Sequence, residues 1–340
     1  MIGLVKDGAP ITYGIYWKKD KKDRTPNRKL RWPRLTVCIA MMIKIDKISA
    51  IVFTADRLVS SSGVIADFDK GEGKIDKLYP YMYVMASGYA PFADEIIIKT
   101  QKELSNSDEN LTVEEAVNKL SLECKSKYEA GIEEIRKPIF SRYNLTTDEF
   151  KYKSNVMSDL IVRDVVDSLN RAEYIFNQDY PRADFLVVGV DTSPHIYVVD
   201  QLGKITFYDH IGFAAIGSGA NLALPEITRL EEYNPNTSAI RGIIAVYNAK
   251  KTAERTGTVG TTTDLRLLGK RHDTNQIFIM GAKEGLITQL DKNINGIIEY
   301  EKSQTQNTMM ALIKGDVLDL FSVETDNPSM ESVRTKSNNN

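Results

Sequence analysis

The feature that most constrains the fold is a pair of apolar runs joined by a short polar turn. The first run opens at Thr36, and the second extends from Ile48 to Ala55 and ends at Asp56-Arg57. Asp46-Lys47 forms the turn between them. One face of the first run carries Val37, Ile39, Met41, Ile43 and Ile45. Because alternation with a period of two is typical of strands, the pattern predicts a β-hairpin.

The polar residues around this hairpin indicate a possible chemistry. Thr36 stands at its start, Asp56 near its end and Lys74 shortly after it, so that the threonine hydroxyl could attack a carbonyl carbon. A hydroxyl is a weak nucleophile and needs a base. A terminal threonine can use its own α-amine, whose pKa of about 7.7–8.0 lies near working pH. This chemistry requires Thr36 to be the first residue of the mature chain, and 35 residues precede it.

The composition is that of an ordinary globular protein, and it excludes several classes. The chain of 340 residues is 42% apolar and has a formal net charge of -2. No apolar run approaches the ~20 residues that cross a bilayer, and no segment has the pattern of a secretory signal. Two cysteines and three histidines are too few for a disulfide framework or a histidine metal cage. We therefore expect a cytoplasmic protein without a metal, another cofactor or a membrane partner.

Helices dominate the segment between the hairpin and residue 180. A strand near residues 81–86 precedes a helix that starts near Pro91, and a capping box at Thr112–Glu115 starts a longer helix. We expect the longer helix to end at Pro138, because proline breaks a helix interior. A further long helix carries Met157, Leu160, Ile161, Val165 and Leu169 at helical spacing. Together these helices form an extended block at residues 105–180.

The period changes to that of strands from Phe185 onward. Strands are predicted at 185–190, 196–199 and 205–208, and a further strand leads into a turn at 212–219. Helices follow at about 221–233 and 238–253, and strands at 263–268 and 276–280 come last. The second of these helices carries Ile240, Ile243, Ile244 and Tyr247 on one predicted apolar face. Separate blocks of strands and helices favour an α+β fold of antiparallel sheets with helices packed outside.

Residues 1–35 differ from the rest of the chain. Nine Lys and Arg residues stand against two Asp residues between Lys18 and Arg34. Such a segment can bind RNA or a membrane, but no aromatic pattern organises the charge, so we interpret it as a poorly ordered leader. A second interpretation is that the leader is not made in the cell. Bacterial translation can start at a TTG codon, and a start at Leu35 would give a Met whose removal exposes Thr36.

Four short motifs, in this order of elements, resemble the N-terminal-nucleophile hydrolase fold of proteasome β-type subunits. The motifs are Thr36-Val-Cys-Ile-Ala40, Ala55-Asp-Arg57, Gly73-Lys-Ile-Asp-Lys-Leu78 followed by Ser87-Gly88, and Ala215-Ile-Gly-Ser-Gly219. The chain is most similar to uncharacterised proteasome-like proteins that begin Met-Thr-Val-Cys-Ile-Ala. The resemblance implies a four-layer αββα sandwich, with two stacked antiparallel sheets between helix layers. We therefore divide the chain into a leader at 1–35, a proteasome-like domain at 36–285 and a polar tail at 286–340.

The resemblance also implies roles for five residues. Thr36 would be the nucleophile, Lys74 the charge beside its hydroxyl, and Asp56 the acid that orients the lysine. Gly88 would donate a backbone N–H to the oxyanion, and Ser218 would form a hydrogen bond near the amine. The implied activity is threonine-dependent hydrolysis of peptide or other amide bonds, without a cofactor.

Two departures from the family pattern favour an alternative, a non-catalytic proteasome-like subunit with a structural or binding function. Members that cleave themselves carry Gly before the threonine, where this chain has Leu35. Many active members place an Asp and a Ser ahead of the last strands, where this chain reads Thr256-Gly-Thr-Val-Gly260. In both cases subunits of this fold bury helix faces against neighbours, so we expect a homo-oligomer built as a ring or stacked rings. Nucleic acid is not an expected partner, and the sequence leaves ring size and an ATPase partner open.

Overall fold

The computed structural model describes residues 36–45, 48–56, 58–61, 64–69, 74–107, 111–229, 238–255, 259–271 and 274–313. The predicted leader at 1–35 and the predicted turn at Asp46-Lys47 lie outside these residues, so both stay predictions. No helix in the described ranges is long and apolar enough to span a membrane.

Strands and helices alternate in blocks, as the sequence pattern predicts. The strands are β1 (Cys38–Ile45), β2 (Ile48–Asp56), β3 (Leu58–Ser61), β4 (Val64–Asp69), β5 (Ile75–Tyr79), β6 (Met82–Gly88), β7 (Ala183–Val190), β8 (Pro194–Val199), β9 (Ile205–Phe207), β10 (Phe213–Ile216), β11 (Thr263–Lys270) and β12 (Ile277–Gly281). The helices are α1 (Ala90–Ser105), α2 (Val113–Ser141), α3 (Thr147–Lys153), α4 (Asp159–Asp179), α5 (Ala220–Thr228), α6 (Ala239–Glu254) and α7 (Glu284–Ile313). A short 3-10 helix at Ser154–Val156 connects α3 to α4.

Two five-stranded antiparallel sheets form the centre of the molecule. The first has the strand order β10-β1-β2-β11-β12, and the second has the order β5-β6-β7-β8-β9. β3 and β4 form a separate two-stranded sheet. Neighbouring strands in the two large sheets are all antiparallel. Five of the eight neighbouring pairs join strands that follow one another directly in the chain, as suits an antiparallel arrangement, whereas β10-β1, β2-β11 and β6-β7 join strands that are distant in sequence.

Three apolar clusters divide the molecule into four layers. One cluster lies between the two sheets and includes Phe53 from the first sheet and Met85 from the second. A second cluster joins the outer face of the second sheet to α1 and α2, and a third joins the outer face of the first sheet to α5, α6 and α7. The α+β, four-layer αββα sandwich predicted from the sequence is therefore confirmed.

β1 shows why the opening run is so apolar. Val37, Ile39, Met41, Ile43 and Ile45 face the helices, as predicted. The residues between them, Cys38, Ala40 and Met42, face the second sheet. Because a strand in the middle of this sandwich is buried on both faces, both sets of side chains leave water. Burial of apolar surface contributes about 25 cal/mol per Å², so the side chains on both faces of β1 stabilise its position between the layers.

The prediction that a helix ends at Pro138 is wrong. α2 continues through Pro138 to Ser141, although proline removes one backbone N–H and crowds the preceding turn. Ile139 and Phe140 follow the proline and are buried, and the ring of Phe140 lies 5.5 Å from that of Phe150. Burial of these two side chains offsets the local cost of the proline. The predicted capping box at Thr112 and Glu115 is confirmed.

The predicted apolar face of α6 is also largely wrong. Ile240 is 73% exposed, whereas the buried side is formed mostly by small residues, with Tyr247 also buried. Close approach to β1 explains the choice, because a Cβ at Gly242 would lie 2.2 Å from Ile43 Cγ2. Small side chains let the helix axis approach the sheet. Ile240 and Ile244 are exposed, whereas Ile243 is partly buried against the cluster.

Two further regions differ from simple expectation. α4 forms where predicted, but Val165 is its only buried residue, and Leu160 is 77% exposed. α7 begins at Glu284 and buries Leu290 and Ile294 in the cluster beneath the first sheet. The division at residue 285 stays a prediction, but the packed core extends past it to Ile294.

Candidate active site

Four strand ends of the first sheet meet around Thr36. β1 begins at Cys38, two residues after Thr36, and β2 ends at Asp56 beside it. β10 ends at Ile216, which pairs with Cys38 from the other side. β11 begins at Thr263, which pairs with Asp56. Because the neighbouring strands are antiparallel, these starts and ends share one edge of the sheet, and the loops that leave it surround Thr36.

The second sheet brings two more predicted site residues to the same edge. Lys74 lies directly before β5, and Gly88 ends the antiparallel neighbour β6. The two sheets touch here, since the Cys38 sulfur lies 3.8 Å from the carbonyl oxygen of Ala86. Residues 52 positions apart in the chain, Thr36 and Gly88, therefore belong to one end of the sandwich.

Thr36, Lys74 and Asp56 form a continuous hydrogen-bonded chain. Lys74 Nζ donates to Thr36 Oγ1 at 2.7 Å and to both carboxylate oxygens of Asp56 at 3.1 Å. The Asp56 side chain has no exposed surface, and that of Lys74 is 10% exposed. A buried ion pair needs good geometry and further hydrogen bonds to offset the loss of hydration. The structure thus brings together three of the five predicted site residues.

Backbone donors complete the environment of Asp56. The N–H of Val37 donates to Oδ1, and the N–H of Gly260 donates to Oδ2, both at 3.2 Å. With Lys74, the carboxylate accepts from three groups on three separate segments. Charge-assisted bonds of this kind are stronger than neutral ones, so the carboxylate fixes the start of β1 relative to Lys74.

A tight turn after β10 holds the other side of Thr36. Gly217 has φ +89°, and a Cβ there would lie 2.2 Å from the carbonyl oxygen of Thr36. The N–H of Gly219 donates to the same oxygen at 3.3 Å. Glycine is required at position 217 because both the backbone angle and the close approach exclude a side chain. Ser218 lies between these glycines on the exposed side, and its hydroxyl makes no hydrogen bond to the described residues. Its predicted contact with the amine stays a prediction.

Gly88 lies exposed at the end of β6 in an unusual conformation. Its φ is +109°, and a Cβ there would lie 2.1 Å from the carbonyl oxygen of Arg182. The preceding Ser87 is buried and approaches the Gly217 turn, since a Cβ on Gly217 would lie 3.3 Å from the Cβ of Ser87. The Ser87-Gly88 corner is therefore next to the turn that holds Thr36. Its predicted role as oxyanion donor stays a prediction.

Comparison with known proteins agrees with this architecture. A sequence model of the family described as "Proteasome subunit" matches residues 140–256, about a third of the chain. Among solved structures, Anbu (ancestral beta-subunit) from Yersinia bercovieri aligns over 79% of this chain and 97% of its own, with a TM-score of 0.50 and 14% sequence identity. The fold is proteasome-like. None of the curated proteins matches the sequence.

The two matches bear differently on the proteasome-like fold and on its site. At 14% identity, the likeness to Anbu concerns the fold alone. The family match includes Ser218 and ends before Gly260, and it leaves out Thr36, Asp56 and Lys74. The case for a catalytic site in this chain therefore rests on the distances among its own residues.

Sequence reasoning missed the backbone groups that organise the site. Val37 and Gly219 were noted only as parts of motifs, and Gly260 only as the end of a stretch that lacks an Asp and a Ser. In the structure all three donate N–H groups to Asp56 or Thr36. The one sequence signal was the recurrence of glycine at 217, 219 and 260, where a backbone N–H can approach without interference from a side chain.

Neither cysteine is a second candidate nucleophile beside Thr36. Burial raises the pKa of the Cys38 thiol well above its usual value, so it stays protonated. Cys124 is buried against the second sheet, and burial raises its pKa to about 12. Within the described ranges, no group of three or more His, Cys, Asp or Glu side chains is arranged to hold a metal ion.

Proposed function

We propose that the protein is an N-terminal-nucleophile hydrolase that cleaves peptide or other amide bonds with the hydroxyl of Thr36. The observation that carries the proposal is the 2.7 Å contact between Lys74 Nζ and Thr36 Oγ1, with Asp56 behind the lysine. An ammonium beside a hydroxyl stabilises the alkoxide that develops as the proton leaves. The shielding of Lys74 and Asp56 from water strengthens this effect, because charges interact more strongly in a medium of low dielectric constant.

The proposed reaction uses only groups of the chain and one water molecule. The Thr36 hydroxyl adds to the amide carbonyl carbon, and its proton passes to the α-amine of the same residue. The backbone N–H of Gly88 would stabilise the oxyanion, a type of contact typically worth about 3–4 kcal/mol. The C–N bond then breaks, and the leaving amine takes the proton from the α-ammonium. Water cleaves the acyl ester by the same route and restores the hydroxyl.

This reaction requires that the chain be cut before Thr36. While residues precede it, the nitrogen of Thr36 is an amide and cannot act as a base. Intact-mass measurement of protein from the native host tests this requirement. The expected mass is that of a chain beginning at Thr36, and a mass that still includes upstream residues contradicts the proposal.

A second experiment tests the hydroxyl itself. Residues 32–35 are replaced by the recognition sequence of a protease that leaves no residue after its cut, and the folded full chain is then cleaved to expose Thr36. A β-lactone probe should acylate the cleaved protein, because the hydroxyl opens the lactone ring and forms an ester. Thr36→Ala should remove the adduct and the hydrolysis of fluorogenic peptides, with an unchanged circular dichroism spectrum. Thr36→Ser, which keeps a hydroxyl, is the matched control and should retain part of the reactivity.

The alternative is a non-catalytic proteasome-like subunit. Two features of the sequence favour it, Leu35 ahead of Thr36 and the lack of an Asp and a Ser in the stretch 256–260. In that case the cleaved protein forms no lactone adduct, and Thr36→Ala leaves every measured property of the protein unchanged.

For either function we propose assembly into a homo-oligomer through the outer helices. Val156, on the 3-10 helix before α4, is 84% exposed and Leu160 is 77% exposed, so the chain alone leaves an apolar surface on this side. Light scattering should give a mass several times that of one chain, and Leu160→Asp should lower it. A monomeric wild-type protein contradicts the proposed assembly but does not bear on the proposed hydrolysis by Thr36.

A further inference from the structure

A lysine in the interior of the molecule lies close to the Thr36 site without being part of it. Lys250, on α6, has a side chain with no exposed surface. Lysine is rarely buried completely, because loss of hydration strongly disfavours its charge unless partners replace the water. Burial lowers the pKa of Lys250, while the nearby charges of Glu254 and Asp56 act in the opposite direction.

The ammonium of Lys250 has partners for all three of its N–H groups. It pairs with the carboxylate of Glu254, one turn further along α6. It also donates to the backbone carbonyl oxygens of Thr261 at 3.0 Å and Thr262 at 3.4 Å. A salt bridge at this spacing can form on a helix surface, so the pair with Glu254 does not explain the burial. The two carbonyl contacts do, because they draw the ammonium toward the segment at 259–262.

This segment is the one that supplies Asp56 with a donor. Gly260 donates its N–H to Asp56 Oδ2, one residue before Thr261. Thr263, directly after the segment, is the strand partner of Asp56. The segment therefore has two fixed points, the carboxylate of Asp56 and the ammonium of Lys250. Lys250 is hydrogen-bonded to Thr261, the backbone connects Thr261 to Gly260, and Gly260 is hydrogen-bonded to Asp56. From Asp56 the hydrogen bonds continue through Lys74 to Thr36.

We propose that Lys250 is a positioning residue for Thr36: it anchors the carbonyls of Thr261 and Thr262, and this keeps the N–H of Gly260 on Asp56. The catalytic part of this inference rests on the proposed function, whereas the positioning of Gly260 does not. Loss of the ammonium frees two carbonyl oxygens and leaves Glu254, whose side chain is only 12% exposed, without its closest cation. The segment then moves, Asp56 loses one donor, and the contact of Lys74 with Thr36 loosens.

The adjacent lysine provides a matched control. Lys251 lies on the same helix, contacts the same Glu254 carboxylate at 3.2 Å and also pairs with Asp291. Among the described residues, it forms no hydrogen bond or ion pair with the segment at 259–262. Lys250→Met and Lys251→Met therefore both remove a cation from Glu254. Only the first removes the anchor of the segment.

Amide hydrogen exchange of the full chain tests the positioning without reference to catalysis. Lys250→Met should raise the exchange rate of the Gly260 amide about tenfold or more, and Lys251→Met should leave it near that of the wild type. Amides in β7, on the second sheet, serve as an internal reference. Equal exchange at Gly260 in the two variants overturns the proposal.

Reaction with a β-lactone tests the consequence for Thr36 in protein cleaved to begin there. Lys250→Met should lower the first-order rate of acylation about tenfold, because small misplacements of reacting groups are costly, with little change in the concentration for half-saturation. A purely structural role would instead lower the fraction of reactive protein and leave the rate of that fraction unchanged, which overturns the catalytic part of the proposal. If wild-type protein does not react at all, the proposed function fails, and the exchange result still decides the positioning.

A double variant covers the case in which Lys250→Met does not fold. Lys250→Met with Glu254→Met removes the cation and the carboxylate together, so no buried charge is left unpaired. The carbonyls of Thr261 and Thr262 still lose their anchor. Fast exchange at Gly260 in this folded protein supports the proposal, and wild-type exchange refutes it.

Discussion

The two ends of the sandwich each hold a basic side chain between acidic or hydroxyl groups, but in different surroundings. At one end Lys74 lies between Asp56 and Thr36. At the other, His195 Nδ1 lies 2.6 Å from Asp209 Oδ2, and its Nε2 lies 3.1 Å from Asp191 Oδ1. β7 separates the ends, since its first residue pairs with Gly88 and its last with Pro194, about 23 Å away at ~3.3 Å per residue.

Burial distinguishes the two ends. Carboxylates at both ends accept backbone N–H groups, Asp56 from Val37 and Gly260 and Asp209 from Ile196. Asp56 has no exposed side-chain surface, however, whereas the side chains of His195 and Asp209 are 20% and 18% exposed. The hydrogen bond that His195 donates to Asp209 is the largest cause that raises the pKa of His195 above 6.5, with burial acting against it. A basic side chain paired with carboxylates thus forms a buried cluster around Asp56 at one end. At the other end it forms a partly exposed cluster in which the pKa of His195 is raised.

The same contrast bears on Ser193, whose hydroxyl lies 3.1 Å from His195 Nε2. Asp209 contacts the other ring nitrogen, which resembles a serine hydrolase arrangement. Asp191 also approaches Nε2, and the two carboxylates raise the pKa of the ring. The ring therefore holds its own proton more tightly than a free imidazole does. Since a protonated imidazole cannot accept the proton of a hydroxyl, Ser193 is a poorer candidate for a nucleophile than Thr36.

The largest expected effect in the comparison comes from the two aspartates. Asp56→Asn should lower the free energy of unfolding by about 3–5 kcal/mol, because it leaves buried Lys74 without its counter-charge. Asp209→Asn should cost only about 1 kcal/mol, since water reaches the opposite end and can replace the lost contact. Urea denaturation of the two variants measures both values. Equal losses would mean that burial does not separate the two ends.

A glycine substitution at the buried end should have the next largest effect. Gly217→Ala places a Cβ 2.2 Å from the carbonyl oxygen of Thr36 at a φ of +89°, so strain and overlap together should cost about 2–4 kcal/mol. Thr36 must shift to make room, so acylation by the lactone should fall as well.

Gly281→Ala is the control for this substitution, because a Cβ there meets no atom within 4 Å. Its stability should stay within about 0.5 kcal/mol of the wild type. If the Gly217→Ala protein is as stable as this control, the turn at Gly217 can rearrange at little cost in free energy. The rigidity assigned to the Thr36 end would then be wrong.

Local patterns account for most of what the sequence predicted correctly. The alternation from Val37 to Ile45 identified β1 and its face, and the capping box at Thr112 located the start of α2. The motif residues Thr36, Asp56 and Lys74 converge because antiparallel neighbours return to the same edge, a property that follows from strand order. These features depend on a few adjacent residues or on topology alone.

The misses depend on contacts between distant parts of the chain. Pro138 stays inside α2 because residues beyond it are buried, and α6 places Gly242, rather than Ile240, against Ile43. The link between Gly260 and Asp56 joins residues 204 positions apart. No local pattern signals such a contact, and the burial of Lys250 is hidden for the same reason, since an isolated lysine in a helix predicts an exposed side chain.

The smallest expected effect is a pH dependence that belongs to the His195 end alone. A folded-state pKa raised above 6.5 means that the folded protein binds the proton more tightly than the unfolded chain does. The stabilisation is therefore complete below about pH 6.5 and is lost as the pH rises through the higher folded-state value. His195→Gln should remove a contribution of about 1 kcal/mol at pH 6 and much less at pH 8.

Urea denaturation at a series of pH values measures this difference between wild type and variant. Asp209→Asn should flatten the pH dependence in the same way, because it removes the largest cause of the raised pKa. If the difference between wild type and His195→Gln stays constant with pH, the ring does not change protonation between its two carboxylates. The two ends would then differ only in how far their charged side chains are exposed to water, and not in whether a side chain changes protonation with pH.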